Sequence, residues 1–254
     1  MLGYLELLGN LFHLGWRTLP LLPWAVVRRP GETAQQMARI FLGAFWLAVL
    51  GGAAVGFVIW LHGRGPLQAV GGRYAKDVLP SALSLVLCLE LAPLVAGLIV
   101  AGRTGADLGA ELGSMRQTEQ IDALQVMGLD PIRELVAPRV AACMMSLPLL
   151  TGLVTFASLG AAFLADSAVG GMSWLQYRGA VLAPLVDRFA DVMVSVLKTV
   201  FFGWLVGLTG CLHGLTAESS TEGVGRAATH GVVSSIFLVM TADVLLVLFF
   251  QAIL

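Results

Sequence analysis

Charge is what this chain has least of: Asp, Glu, Lys and Arg make up 12% of its 254 residues, about half the share usual in a soluble domain, while mean hydropathy is +0.86. So little charge cannot cover a water-facing exterior. Lysine occurs only at positions 76 and 198. The formal net charge of -1 and pI near 6.4 supply no basic field, which excludes nucleic acid as a partner. Three cysteines, Cys88, Cys143 and Cys211, lie far apart in apolar runs without CxxC or Cys/His spacing. They read as small packing residues rather than as a disulfide framework or a metal site. A phosphate-binding GxxxxGK followed by Ser or Thr is also missing. Lys76 precedes Asp77, Lys198 precedes Thr199 without an upstream glycine framework, and the "GVG" at Gly223–Gly225 has no lysine and follows no strand. No nucleotide site, cofactor or enzymatic activity is expected in this chain.

What is present is long uncharged sequence. Ile40 to Leu61 and Val140 to Ala165 carry no charge; Val78 to Ala101 carries only Glu90, Val192 to His213 only Lys198, and Gly231 to Leu254 only Asp243. At ~1.5 Å per helical residue each run can cross a bilayer. The expected fold is therefore an all-α integral membrane protein, one domain over 1–254, with spans at 36–62, 78–103, 138–165, 191–215 and 231–254. Thr33 and Gln36 have the spacing of a capping box at the start of the first span. An intramembrane hydrolase falls far behind, because GxSxG and HExxH are absent and His213 and His230 sit at span ends.

Arginine and lysine set the orientation. With the N-terminus inside, the inner segments hold Arg17, Arg28, Arg29, Arg39, Arg103, Arg116, Arg133, Arg139 and Arg226; the outer ones hold only Arg64, Arg73, Lys76, Arg178 and Arg188. The positive-inside bias gives a cytoplasmic N-terminus and an outer C-terminus. Residues 1–30 place Glu6, Asn10, His13 and Arg17 on one helical face and Leu5, Leu8 and Phe12 on another, fitting a helix lying in the membrane interface or packed on the protein itself. Arg28 and Arg29 favour the interface. The first outer connection, "HGRGPLQAVGGRYAKD", reads as a loop; the second reads as a short surface helix with Trp174 and Tyr177 at headgroup level. Gly52/Gly56, Gly203/Gly207 and Gly210/Gly214 form GxxxG pairs for close helix packing, within the chain or between two copies of it.

One stretch breaks the apolar pattern. Glu111 to Arg139 holds eight charged residues between the second and third spans, on the cytoplasmic side of the expected topology. Thr118 can cap a short helix whose first turn carries Glu119 and Asp122, with Gly128 and Pro131 as stop signals and Pro131 and Pro138 stiffening the exit. Thr118, Glu119, Asp122 and Gln125 then share one face, and Ile121, Ala123, Leu124 and Met127 fall mostly on the other. A helix free in water has no use for that apolar half, so it should bury against other helices or a partner protein.

Two segments carry a family resemblance. "AGRTGADLGAELGSMRQTEQIDALQVMGLDPIRELVAPRV" resembles the signature of MlaE-type permeases, the membrane subunits of ABC lipid transporters that work with MCE proteins. "KTVFFGWLVGLTGCLHGLTAESSTEGVGRAATHGVVSSIFLVMTADVLL" resembles the same family's C-terminal pattern, with Lys198, Gly203, Gly214, Glu222 to Ala227 and Asp243 in order. The likeness runs from about Arg39 to the end and departs in the first outer connection and near Asp166 to Asp191. It implies that the region 106–130 carries a coupling helix, with Thr118, Glu119, Gln120, Ile121, Asp122, Leu124 and Met127 meeting a separate ATPase chain that holds ATP and Mg. It further implies a homodimer in the bacterial inner membrane, two ATPase chains, an MCE protein on the outer face and phospholipid as cargo.

Glu90, Lys198 and Asp243 each cost ~2.5 to 3.5 kcal/mol at mid-membrane, so they should face one another or water. They could shape a headgroup site, relay protons in an ion-coupled secondary transporter, or fix helix register as a structural network. Helical spacing from Glu90 puts Leu83, Val86, Leu87, Leu94 and Gly97 on its side of the second span, candidates for an acyl-chain wall or for ordinary packing.

Overall fold

A computed structural model describes the backbone of residues 2–71, 75–169 and 172–253, and the side chains of 9–65, 78–169, 172–250 and 252. The expectations for Arg73, and for the side chains of Leu5, Glu6, Leu8 and Lys76, lie outside the described residues. Among the described residues there is no strand. The helices are α1 (Leu2–Thr18), α2 (Leu22–Arg28), α3 (Pro30–Gly71), α4 (Ala75–Val86), α5 (Ala92–Gln117), α6 (Gln120–Val126), α7 (Ala137–Ala168), α8 (Trp174–Asp187), α9 (Phe189–Leu215) and α10 (Thr221–Ile253). A 3₁₀ turn (Leu19–Leu21) joins α1 to α2, and π-helical segments at Leu87–Leu91 and Ile132–Val136 precede α5 and α7. Five helical stretches are long and apolar enough to span a membrane: Pro30–Gly65, Val78–Gln117, Ile132–Ala168, Phe189–Leu215 and Thr221–Phe250.

The spans exceed the expected limits wherever polar helical turns extend them. α3 begins at Pro30, whose fixed φ and missing N–H suit a first helical position. Thr33 is therefore no cap: it is buried one turn inside, and its hydroxyl donates to the Ala25 carbonyl at 3.3 Å. The first outer connection is not a loop on its described residues, because α3 runs to Gly71 and α4 starts at Ala75. Glycine's helix penalty of ~1 kcal/mol is small enough for packing to override. Here the missing side chain of Gly63 leaves room for Leu79, whose Cδ1 lies 3.1 Å from where a Cβ would stand.

The chain divides into two compact units, and each long helix except α10 supplies residues to both. One unit comprises Phe45–Ala96 and Pro148–Thr199. Its core joins Trp60, Leu79, Leu83, Leu87, Ala162 and Ala165, with Val55, Ile59, Leu91 and Leu159 packed around them. Gly52 and Gly56 press against the α7 backbone at Val154 and Ser158. α8 is the expected short helix, started by the Gln176 side chain accepting hydrogen bonds from the Ser173 amide and hydroxyl. Tyr177 is buried, and its hydroxyl donates to the Leu159 carbonyl at 3.1 Å. Burial pushes its phenol up to about 12. Trp174, by contrast, is exposed and rests edge-on against Phe163.

The other unit comprises Met1–Ala44, Gly97–Leu147 and Val200–Leu254. Phe202, Leu112, Leu147, Leu208, Val100, Val136, Val140 and Val206 are fully buried in it. Lipid tails solvate apolar side chains as well as protein does, so helix association here relies on close backbone approach. α9 supplies it on two faces: Gly203 and Gly207 meet α7 at Cys143 and Val140, and Gly210 and Gly214 meet α5 at Leu108 and Leu112. All three GxxxG pairs are thus used for close helix packing within the chain. α1 also packs here, burying Leu11, Leu14 and Thr18 and seating Gly15 against Trp204, while Phe12 and Trp16 remain exposed. On its described residues this helix therefore has one protein-packed face and one exposed face.

Candidate functional site

The polar stretch folds into a short helix bracketed by two left-handed residues. α5 ends at Gln117, where the Thr118 hydroxyl donates back to the Ser114 carbonyl at 2.9 Å. Thr118 is therefore not the cap of α6. That position is Glu119, which makes no side-chain capping bond and adopts φ 58°, unusual and strained for a residue with a Cβ. At the far end Gly128 (φ 77°) closes α6: its N–H reaches the Gln125 carbonyl at 2.9 Å, and the Leu129 N–H reaches Leu124 at 3.0 Å. This is a Schellman closure, which needs a left-handed residue. Replacing Gly128 by Val should cost about 1–2 kcal/mol from the left-handed backbone alone. A fall in the thermal midpoint, with Gly31→Val as an unstrained comparison, checks this; Gly31 has open space around it.

Asp130 then starts the next segment, its Oδ1 accepting from the Ile132 amide at 3.0 Å. Pro131 thus opens a helix rather than only stopping one. Of the apolar half of α6, Ile121 is buried and Leu124 half-buried, but Met127 is 65% exposed. The helix ends at Val126, so the 100° projection no longer applies to Met127. The exposed apolar tip is Val126, Met127 and Leu129, and Glu119 and Asp122, at the start of α6, are exposed as well. Grooves of about 590 and 360 Å³ flank it, the first lined by Arg17, Arg116, Ile121 and Gln125, the second by Arg29, Gln35, Leu124 and Glu134.

Ion pairs that sequence spacing did not reveal hold this region. Arg139, almost fully buried, donates to Glu111 at 2.7 Å and to the Leu135 carbonyl at 2.7 Å; Arg39 reaches the other Glu111 oxygen at 3.2 Å. Glu111 thus ties the end of α5 to the starts of α3 and α7. Its partners lie 28 and 72 residues away, beyond any local pattern.

In the second span the π-helical segment Leu87–Leu91 carries Glu90. Two α9 residues one turn apart hold it: the Ser195 hydroxyl donates to the Cys88 carbonyl at 2.9 Å, and Lys198 Nζ to Glu90 at 2.6 Å. The Lys198 side chain is 4% exposed and that of Glu90 48%, so the pair opens outward on the carboxylate side. Asp243 belongs to the other compact unit.

The five acyl-wall candidates differ in their surroundings. Leu83 and Leu87 are core residues of their unit, Val86 is 48% exposed, and Leu94 is half-buried. Gly97, in the other unit, packs against Val239 and Phe202.

Comparison with known proteins bears on the same residues. The Permease MlaE family matches residues 33–249, most of the chain, including the short-helix region and the charged spans. The chain is a member of the MlaE permease family. A probable ABC transporter permease of Synechocystis is 32% identical over 242 residues, covering 95% of this chain and 89% of its own length. One from Rickettsia prowazekii is 35% identical over 181 residues, 70% of this chain and 68% of its own. The Arabidopsis thaliana protein trigalactosyldiacylglycerol 1, chloroplastic, is 35% identical over 168 residues, 66% of this chain and 47% of its own. The chain is thus a multi-pass ABC transporter permease, a transmembrane subunit rather than a catalytic one.

Proposed function

We propose that this MlaE permease moves phospholipid, driven by a separate ATPase chain that grips the exposed tip at the end of α6. The observation that carries the reading is that tip: Val126 is 89% exposed on a turn fixed by Gly128 and by the Asp130 cap. An apolar knob held rigidly in water is suited to burial by a partner. The ATPase binds ATP and Mg, since this chain carries no phosphate-binding loop in its sequence. Lipid cargo is supported by the family and by the plant relative, whose name contains a diacylglycerol lipid.

The arginines and lysines orient the N-terminus and the α6 tip to the cytoplasm of the bacterial inner membrane and the C-terminus outward. Two copies act together with two ATPase chains, and an MCE protein receives or delivers lipid on the outer face. The exposed α10 side chains, such as Phe237, Met240 and Val244, offer a surface for a second copy.

Val126→Asp combined with Met127→Asp tests the reading. The expected result is loss of the co-purifying ATPase by about 30-fold or more in affinity, the range of an interface hot spot, with the permease still folded. An ATPase retained at full stoichiometry, or none bound to the unaltered permease, overturns it.

A further inference from the structure

The N-terminal segment meets the residues just beyond the tip at three points. Arg17, at the end of α1, pairs with Asp130 at 3.3 Å. The Arg133 guanidinium lies over the Trp24 ring of α2, 4.0 Å from its centroid. Arg29 pairs with Glu134, whose side chain is only 11% exposed. Asp130, Arg133 and Glu134 all lie within six residues after Gly128. The other face of α1 is unlike a protein-facing one: Phe12 and Trp16 are 72% and 71% exposed and stack at 6.4 Å. Aromatic side chains beside a terminal arginine are the chemistry of a membrane interface.

We infer that these contacts latch the N-terminal segment to the docking loop, so that ATPase motion displaces an interfacial helix as well as the spans. This rests on the proposed docking of the ATPase at the α6 tip. One bridge between exposed side chains would be a weak link. Here a stacked guanidinium and a half-buried ion pair act beside it, on a π-helical segment that follows the loop without an intervening flexible stretch. Displacement of the tip is therefore carried into α1 and α2. Trp24, Arg133, Arg29, Glu134, Arg17 and Asp130 are positioning residues: they transmit movement and need touch neither ATP nor lipid.

The test uses the assembled transporter in proteoliposomes, reading ATPase retention, ATP hydrolysis and transfer of a fluorescent phospholipid. Trp24→Leu with Arg133→Gln opens the latch. Bound ATPase and hydrolysis should stay within about twofold of the unaltered complex while lipid transfer falls about fivefold or more, the low end of measured couplings. Should that variant not fold, Arg133→Gln alone, which leaves Trp24 in place, carries the same expectation. Arg17→Cys with Asp130→Cys, in a Cys88→Ala background and joined by a short bifunctional maleimide, fixes the latch shut and should leave transfer intact. Unchanged transfer after opening, or arrest after cross-linking, overturns the latch. Absence of ATPase from the unaltered complex overturns the docking reading, and the latch with it.

Discussion

Gly203→Ala should prevent stable packing of α9 on α7. A Cβ at Gly203 would stand 2.6 Å from the Cys143 carbonyl oxygen and 2.7 Å from the Met144 Cα. Both are backbone atoms, so no rotamer change makes room, and the two helices must separate. Separation removes the close contacts on which association in lipid depends, around the buried Phe202, Val206 and Val140. Overpacking usually costs 1–3 kcal/mol, and a backbone collision should reach about 3 kcal/mol or more. Gly160→Ala is the matched control, because nothing lies within 4 Å of its missing Cβ. Thermal unfolding in detergent should show a large fall for Gly203→Ala and almost none for Gly160→Ala. Equal stability of the two would mean that the α7–α9 approach is looser than described.

The second large effect concerns Lys198. Lys198→Met removes the ammonium group 2.6 Å from Glu90 and leaves that carboxylate inside a membrane span. Breaking such a pair from one side should cost on the order of 3 kcal/mol, by the loss of its partner and the cost of a charge at depth. Adding Glu90→Gln removes the charge as well and should return stability to within about 1 kcal/mol of the unaltered protein. Lipid transfer should remain lost in the double variant, because the half-exposed Glu90 carboxylate and its lysine form an outward-facing polar point suited to a headgroup. Recovery of both stability and transfer would assign the pair to helix register alone. The two readouts separate a structural ion pair from one that meets cargo.

Some of this architecture was legible without coordinates. A run such as Ile40 to Leu61 has nowhere to go but a membrane or a core, and its length specifies a spanning helix. The turn at Gly128 was legible too, since glycine relieves the left-handed strain of a helix end. Helix starts were less so: Thr33 and Thr118 have capping chemistry, yet Pro30 and the left-handed Glu119 decide where α3 and α6 begin. The α6 tip was half legible. Its sequence marks an amphipathic helix, but only the point at which α6 stops shows that Val126, Met127 and Leu129 stay uncovered.

By itself the sequence determined the membrane class, the five spans, the isolated polar stretch and the intramembrane charges, because each follows from local composition and from the fixed rise of a helix. Tertiary structure alone decided which distant residues meet. Glu111 with Arg139 and Arg39, Arg133 with Trp24, and the backbone seams at Gly203 and Gly210 join positions whose spacing carries no periodic signal. It also decided that Leu87–Leu91 winds as a π-helical segment, which a regular helical pattern does not announce. Such choices are set by packing between elements, which one helix's own pattern does not contain.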